Sequence, residues 1–272
     1  MNLPETRILQ LERRDFCLFV TIDDPRTRNA VTDWLLEDFE AVLAASREDR
    51  TIRALFIQGA NGVFCAGAEL DGSKAARGDP SEGKGAPWHA NKRGGTLFQM
   101  LNSHPMPVIM LVDGPAMGGG LGLVCCADIV ICTDRARFAL SETSLGLVPA
   151  QIAPFVVRRI GLSAARRLAL SGTRIDGSEA EALGLADFLV STPEELHRVV
   201  SKVLDGIGRC APGANAAAKA LILEQVLEIP PDYADRAADL FASCFNGAEG
   251  REGIAAFRER RPAAWVKSVR WP

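Results

Sequence analysis

Several features are scarce or missing in this 272-residue chain, and each absence removes a class of function. No apolar run approaches the roughly 20 residues that cross a bilayer. The segment 1–14 is too charged and too poor in apolar residues for a signal sequence, so no membrane association is expected and the cytoplasm is the expected compartment. Charge of one sign is not in excess. The 31 Lys and Arg against 34 Asp and Glu leave −3, which offers no dedicated surface to nucleic acid or lipid. Histidines number three (His89, His104, His197) and are scattered without partners. The seven cysteines (Cys17, Cys65, Cys125, Cys126, Cys132, Cys210, Cys244) are odd in number and lack metal-ligand spacing. Adjacent Cys125 and Cys126 cannot both turn to one ligand from a helix. Five of the seven stand in apolar segments, so buried free thiols are expected and a metal site is not.

What is present is ample apolar content, 47%, enough for one large domain or a domain with an appendage. The chain is organised around residues 108–132, VIMLVDGPAMGGGLGLVCCADIVIC. They read as a buried strand (108–112), a glycine turn, a short helix of small apolar residues closed by Asp128, and a second strand (129–132). Glycine weakens a helix by about 1 kcal/mol per position, so three of them (Gly118 to Gly120) at a first turn suggest close approach to the backbone there. Free amides at a helix start stabilise an anion, which makes this a candidate oxyanion site. A turn that only lets a helix pack on a sheet is the plainer alternative. A nucleotide-phosphate loop is disfavoured, because 114–122 has neither a Lys-Ser/Thr pair nor GxGxxG spacing.

Along the chain, 17–22 and 54–58 read as buried strands, and 32–47 as an amphipathic helix capped by Thr32 or Asp33, with Leu35, Leu36, Phe39, Val42 and Leu43 on one face. This alternation predicts an α/β core. Residues 64–70, FCAGAEL, form a small-residue segment at a strand end, where such folds place ligands. Residues 71–95, with six glycines, read as a long mobile loop carrying Trp88 and His89. Glu142 stands among apolar neighbours, either as a hydrogen-bonded structural residue or as a group tuned for proton transfer. Residues 153–160 and 163–170 read as short helices, Ser178 and Glu181 as a capping box, and 188–190 as a last strand. From Thr192 the pattern is helical only: one helix after Thr192, then 215–227, 232–245 and 253–261. This divides the chain into a core, 1–191, and an appendage, 192–272, too small to bury itself well and so expected to pack on the core or another subunit.

The order of motifs resembles the crotonase family, the enoyl-CoA hydratase and isomerase superfamily. The resemblance rests on Arg28-Asn29-Ala30, on 64–70 as the AGA[DE] segment, and on the Gly118 to Gly120 triple followed by Ala127-Asp128. It continues through Phe138 with Glu142 and Gly146, Leu183-Gly184-Leu185, and 252–261. It implies an α/β spiral of ββα turns with a C-terminal helical trimerisation region, a homotrimer or hexamer, and a CoA thioester substrate with no separate cofactor. It also implies that the backbone N–H groups of Ala68 and Gly119 hold the thioester oxygen and that Glu142 moves the proton. Arg28, Ala30, Ala66, Gly118, Gly122, Pro149 and Ala150 would line the substrate, and Arg28 or the basic run Arg258, Arg260 and Arg261 would approach the CoA phosphates. Glu69 reads as structural.

The chain departs from the family's ordinary hydratases at one position. Their second carboxylate would fall at Gly122, which can neither hold a water nor donate a proton. A single-carboxylate site resembles the double-bond isomerases and the hydratases of branched glutaconyl thioesters. The run 140–155, with Ala150, Gln151 and Ile152 where glycines are usual, looks more like the latter. The expectation is therefore a hydratase of 3-methylglutaconyl-CoA or isohexenylglutaconyl-CoA, a lyase of leucine or acyclic terpene breakdown. An isomerase and a non-catalytic acyl-CoA binder stand as alternatives. A distal carboxylate on the acyl group needs a cation, for which Lys74, Arg77, Lys84 and Lys92 are candidates.

Overall fold

The computed structural model describes residues 3–49, 51–69, 85–224 and 232–264. In chain order its elements are β1 (Leu9–Arg14), β2 (Cys17–Ile22), α1 (Asp33–Glu48), β3 (Ala54–Gly59), α2 (Ala86–Asn102), β4 (Val108–Val112), β5 (Pro115–Met117) and α3 (Gly119–Cys125). Then come β6 (Ile129–Thr133), β7 (Arg137–Ala139), a 3-10 turn (Glu142–Leu145), α4 (Ala153–Ser171), β8 (Arg174–Asp176), α5 (Gly177–Ala182) and β9 (Phe188–Val190). Four helices end the series: α6 (Pro193–Gly208), α7 (Pro212–Glu224), α8 (Tyr233–Asn246) and α9 (Ala248–Glu259).

Two sheets carry the architecture. The larger runs β1-β2-β3-β4-β6-β9, parallel except for the β1–β2 hairpin. Its central strands β2, β3, β4 and β6 are mainly apolar because both faces are covered, and their period of two divides the side chains into two layers. Leu18, Val20, Leu55, Ile57, Met110 and Val130 face α1 to α4, whereas Cys17, Phe56, Ile109 and Ile131 face Val199 and Ile207 of α6. The smaller sheet, β5-β7-β8, is lengthened by isolated bridges Cys65↔Ala116 and Val31↔Ala68. That lengthening carries the chain past its functional segments.

Local chemistry explains most element ends. Thr32 caps α1, its Oγ1 accepting from Leu35 N at 3.2 Å, and Thr192 caps α6 by accepting from Glu195 N. The two helices expected at 153–160 and 163–170 are both present within α4, separated at Gly161, whose φ 75° and ψ 162° are not helical. Five cysteines are buried, as their apolar settings imply.

Four expectations need correction. Residues 86–95, taken as loop, are the first turns of α2: Pro87 sits in the first turn, where proline starts a helix, and Gly94 and Gly95 hid the pattern. Trp88 is buried and packs edge-on against His89, with ring centroids 4.9 Å apart. Asp176, not Ser178, caps α5, accepting from Glu179 N at 2.9 Å. Asp128 does not close α3, which ends at Cys125; its carboxylate accepts from Val108 N and Lys219 Nζ, both at 2.7 Å. His104 is not partnerless: fully buried, its Nε2 lies 3.2 Å from Ser46 Oγ and 3.3 Å from Leu43 O. The strands β1, β5, β7 and β8 were not foreseen, β1 because its polar alternation was read only for its charge.

Candidate active site

The site is built on a ladder of short extended segments. Ala66 N donates to Arg28 O, Val31 N to Gly67 O, and Met117 N to Cys65 O, so 28–31, 64–69 and β5 run side by side. In a parallel ladder alternate peptide groups face opposite neighbours, and Gly67 O and Glu69 N face Val31. Ala68 N–H therefore turns the other way, toward the point where β5 has given way to α3. There a Cβ on Gly119 would lie 3.8 Å from Ala68 N. Among the described residues neither amide donates to a backbone carbonyl. Ala68 is exposed and Gly119 half-buried between two buried glycines, so neither residue is sealed in the core.

Each glycine of the triple is explained by a different neighbour. Gly118 has φ 49°, and a Cβ there would stand 2.9 Å from Glu142 Oε1. Gly119 leaves the approach to Ala68 N open. On Gly120 a Cβ would meet Cys65 O at 2.5 Å, so the helix start presses directly on the 64–69 strand. The β5–β7 register, Met117↔Ala139 with Gly118 N donating to Ala139 O at 2.9 Å, then delivers the residues after Ala139 to the glycine turn. That register is why Glu142 lies against Gly118.

Glu142 opens the 3-10 turn, which Gly146 (φ 70°) ends. Its Oε2 is inaccessible and accepts no hydrogen bond. Burial raises its pKa from 4.5 to about 7, opposed by a hydrogen bond from its own backbone N–H. A carboxyl with that value exchanges a proton readily near neutrality.

Gly122 lies one turn further along α3. A Cβ on it would lie 2.2 Å from Ile152 Cγ2 and 3.4 Å from Phe98 Cε1, so Ile152 fills the space a side chain at 122 would need. A glutamate placed at 122 alone would therefore meet a packed wall. Ile152 stood in the sequence as one of three residues replacing glycines, and its contact with α3 emerges only in the fold. Its neighbours continue the wall. Ala150 O accepts from Tyr233 Oη, and buried Gln151 donates from Nε2 to Asn91 Oδ1 and Ala234 O, both at 3.1 Å. Pro149, half-buried, precedes them.

Of the remaining expected residues, Arg28 is exposed at the rim, in left-handed conformation (φ 58°), and Ala30 and Ala66 flank it within the ladder. Glu69 contributes its backbone N–H to Val31 O. Arg261 is held by Glu252 and Glu259, at 2.7 and 2.6 Å, which ties it to α9 instead of leaving it for a phosphate. Lys92 lies on α2, not in a loop, and pairs with Asp235 at 2.7 Å; Lys74, Arg77 and Lys84 fall outside the described residues. Among the described residues no group of three His, Cys, Asp or Glu converges on a metal position, and no helix is long and apolar enough to cross a membrane.

The family model for enoyl-CoA hydratase/isomerase matches residues 12–268. This chain belongs to the enoyl-CoA hydratase/isomerase family. Among solved structures, Pseudomonas aeruginosa AtuE is 42% identical, with TM-score 0.75 over 96% of this chain and 100% of that one. The human enoyl-CoA hydratase domain-containing protein 2, mitochondrial, is 32% identical over 91% of this chain and 84% of its own. The mitochondrial methylglutaconyl-CoA hydratase of Mus musculus is 30% identical over 95% and 82%. The α/β spiral expected from the motifs is the crotonase fold of such neighbours. Within an enoyl-CoA hydratase/isomerase, the paired amides and the buried carboxylate beside them are the arrangement that needs a chemical account.

Proposed function

We propose that the protein adds water across the α,β double bond of a branched enoyl-CoA, 3-methylglutaconyl-CoA or isohexenylglutaconyl-CoA, and so acts as a carbon–oxygen lyase. The observation that carries this reading is the neutral-range carboxyl of Glu142, its Oε2 without a hydrogen-bond partner, on the glycine turn that also carries the Gly119 amide facing Ala68 N. With the thioester oxygen on those two N–H groups, Glu142 takes a proton from water as its oxygen bonds to the β-carbon. The electron pair of the double bond moves toward the thioester oxygen, and the enolate is held by the two amides. Removing one such donor typically costs about 2.7–4 kcal/mol of transition-state stabilisation. Glu142 then returns a proton to the α-carbon, on the face from which water came.

The branched substrate is supported by the likeness to the mouse methylglutaconyl-CoA hydratase and by the 149–152 wall, where Ala150, Gln151 and Ile152 shape the space beside α3. A second reading, double-bond isomerisation with Glu142 carrying a proton between carbons, is favoured by one observation: Ile152 leaves no room for a second carboxyl at 122. An acyl-CoA binder without turnover is the weakest reading, because a buried carboxyl lacking a partner destabilises the fold and binding alone makes no use of it. Incubation with 3-methylglutaconyl-CoA, isohexenylglutaconyl-CoA and a 3-enoyl-CoA in heavy-oxygen water separates the three. The expected result is label in a hydroxyacyl product; a shifted double bond at unchanged mass overturns hydration in favour of isomerisation, and binding without conversion leaves the binder.

A further inference from the structure

The turn carrying Glu142 is held from two sides by helices far along the chain. Toward α4, Thr143 Oγ1 donates to Ala169 O at 2.6 Å. Toward α9 the contact is backbone against backbone. A Cβ on Gly253 would lie 2.3 Å from Leu145 O and 2.5 Å from its carbonyl carbon, and a Cβ on Gly146 would lie 2.6 Å from the carbonyl carbon of Glu249. Gly250 is packed as closely, a Cβ there reaching Cys244 O at 2.1 Å, which fixes the corner between α8 and α9. Gly253 and Gly250 are buried, as are Ile254 and Ala256 beside them. Glycine inside a helix is unfavourable by about 1 kcal/mol relative to alanine, so these positions answer to contact, not to helix formation. Gly213 of α7 differs: nothing lies within 4 Å of a Cβ placed there.

Glu142 Oε2 accepts no hydrogen bond and the carboxyl is tied to its own backbone N–H, so the placement of the turn decides where the carboxyl stands. We infer that α9 positions Glu142 through Gly253, whose backbone approach to Leu145 sets where the carboxyl stands against Gly118 and the Gly119 amide. Gly253 is thus a positioning residue, and the last described helix is coupled to the reacting centre. The inference rests on the reading of Glu142 as the proton-transfer group.

The test uses the full chain with Gly253→Ala, and Gly213→Ala as control, assayed on whichever thioester the unmodified protein converts. The expected result is a fall in kcat of tenfold or more, KM changed less than threefold, and a displaced midpoint in the pH dependence of kcat, with the control unchanged. A folded Gly253→Ala protein with unaltered kcat and midpoint overturns the inference, even if its melting temperature is lower. A second readout needs no substrate: the effect of Glu142→Gln on melting temperature, at pH 5 and pH 8, in the unmodified chain and in the Gly253→Ala variant. Positioning requires that the pH-dependent part of that effect differ between the two backgrounds; equal effects overturn it. If no thioester is converted, the proposed activity fails while this readout still decides the coupling. Should Gly253→Ala not fold, Ile254→Ala, which loosens the buried face of α9 without adding an atom or touching the turn's own backbone, is assayed with the same expected and overturning results.

Discussion

Glu142 and His104 are buried titratable groups with opposite pH signatures. The carboxyl of Glu142 holds its proton more tightly in the fold, with a pKa of about 7 against an ordinary 4.5. The folded state therefore binds more protons between those values, and stability falls as pH rises through that window. At roughly 1.4 kcal/mol per pKa unit, the penalty above pH 7 is on the order of 3 kcal/mol. Burial lowers His104 to about 4 from 6.5, so its penalty is full at low pH and disappears as pH rises to 6.5. Between about pH 4.5 and 6.5 the two slopes oppose. Glu142→Gln should therefore raise the urea midpoint at pH 8, leave it nearly unchanged at pH 4.5, and uncover a stability that climbs with pH across the His104 window. The same substitution should lower kcat by at least a hundredfold while thioester binding, read by titration calorimetry, survives. With Glu142 acting as base, kcat/KM should rise with pH and level off above about 7, and that limb should be absent from the variant. The sequence made the carboxyl legible as a charged residue in apolar company. Its lack of a partner was not legible, because that depends on Gly118, the β5–β7 register and α9 together.

At the scale of elements, α3 and the 149–152 wall are fitted to each other. Gly122→Ala should destabilise by about 1–3 kcal/mol through overlap with Ile152, Gly122→Glu by more, and Ile152→Ala should recover part of the loss in the double variant. Denaturant midpoints of the four proteins in that cycle check it; additive effects would mean that the two positions do not share space. Sequence reading found the strands 108–112 and 54–58 and the Thr32 cap because each depends on local chemistry. It missed β5 and the ladder through Ala68, since three-residue strands are defined by their neighbours and not by their own pattern. It took 86–95 for loop because glycines and a proline outweighed a helix face formed by packing against α8. Asp176 went unnoticed as a cap because Ser178 and Glu181 supplied the familiar spacing.

In the molecule as a whole, the site draws on segments from Arg28 to Gly253, and the helices after Val190 are unequally attached to it. Helix α6 buries Val199 and Ile207 on the large sheet, and α9 presses on the turn that carries Glu142. Helix α7 buries no side chain and leaves Leu221 and Ile222 exposed; Lys219 ties it to Asp128 at 2.7 Å and to Met106 O at 3.4 Å. Lys219→Met should therefore speed amide hydrogen exchange in 212–224 by tenfold or more while the rest of the chain keeps its protection. Uniform acceleration would mean that α7 opens only with global unfolding. The helical run after 192 was readable from its periodicity, but which helix reaches the centre was not, because Gly253 and Gly250 look like helix-weakening residues until Leu145 and Cys244 are placed against them.

The burial of cysteines has a practical corollary for following these helices. Cys17, Cys65, Cys125 and Cys132 have thiols pushed up to about 12, and Cys126 is raised well above its ordinary value, so each is both enclosed and protonated at neutral pH. Cys210, exposed at the end of α6, and the half-buried Cys244 on α8 are the two outside that group. Maleimide chemistry on the unmodified chain thus reaches two points on the helical appendage and spares the spiral core, giving a fluorophore pair whose separation reports motion of α8 against α6 without a single engineered cysteine.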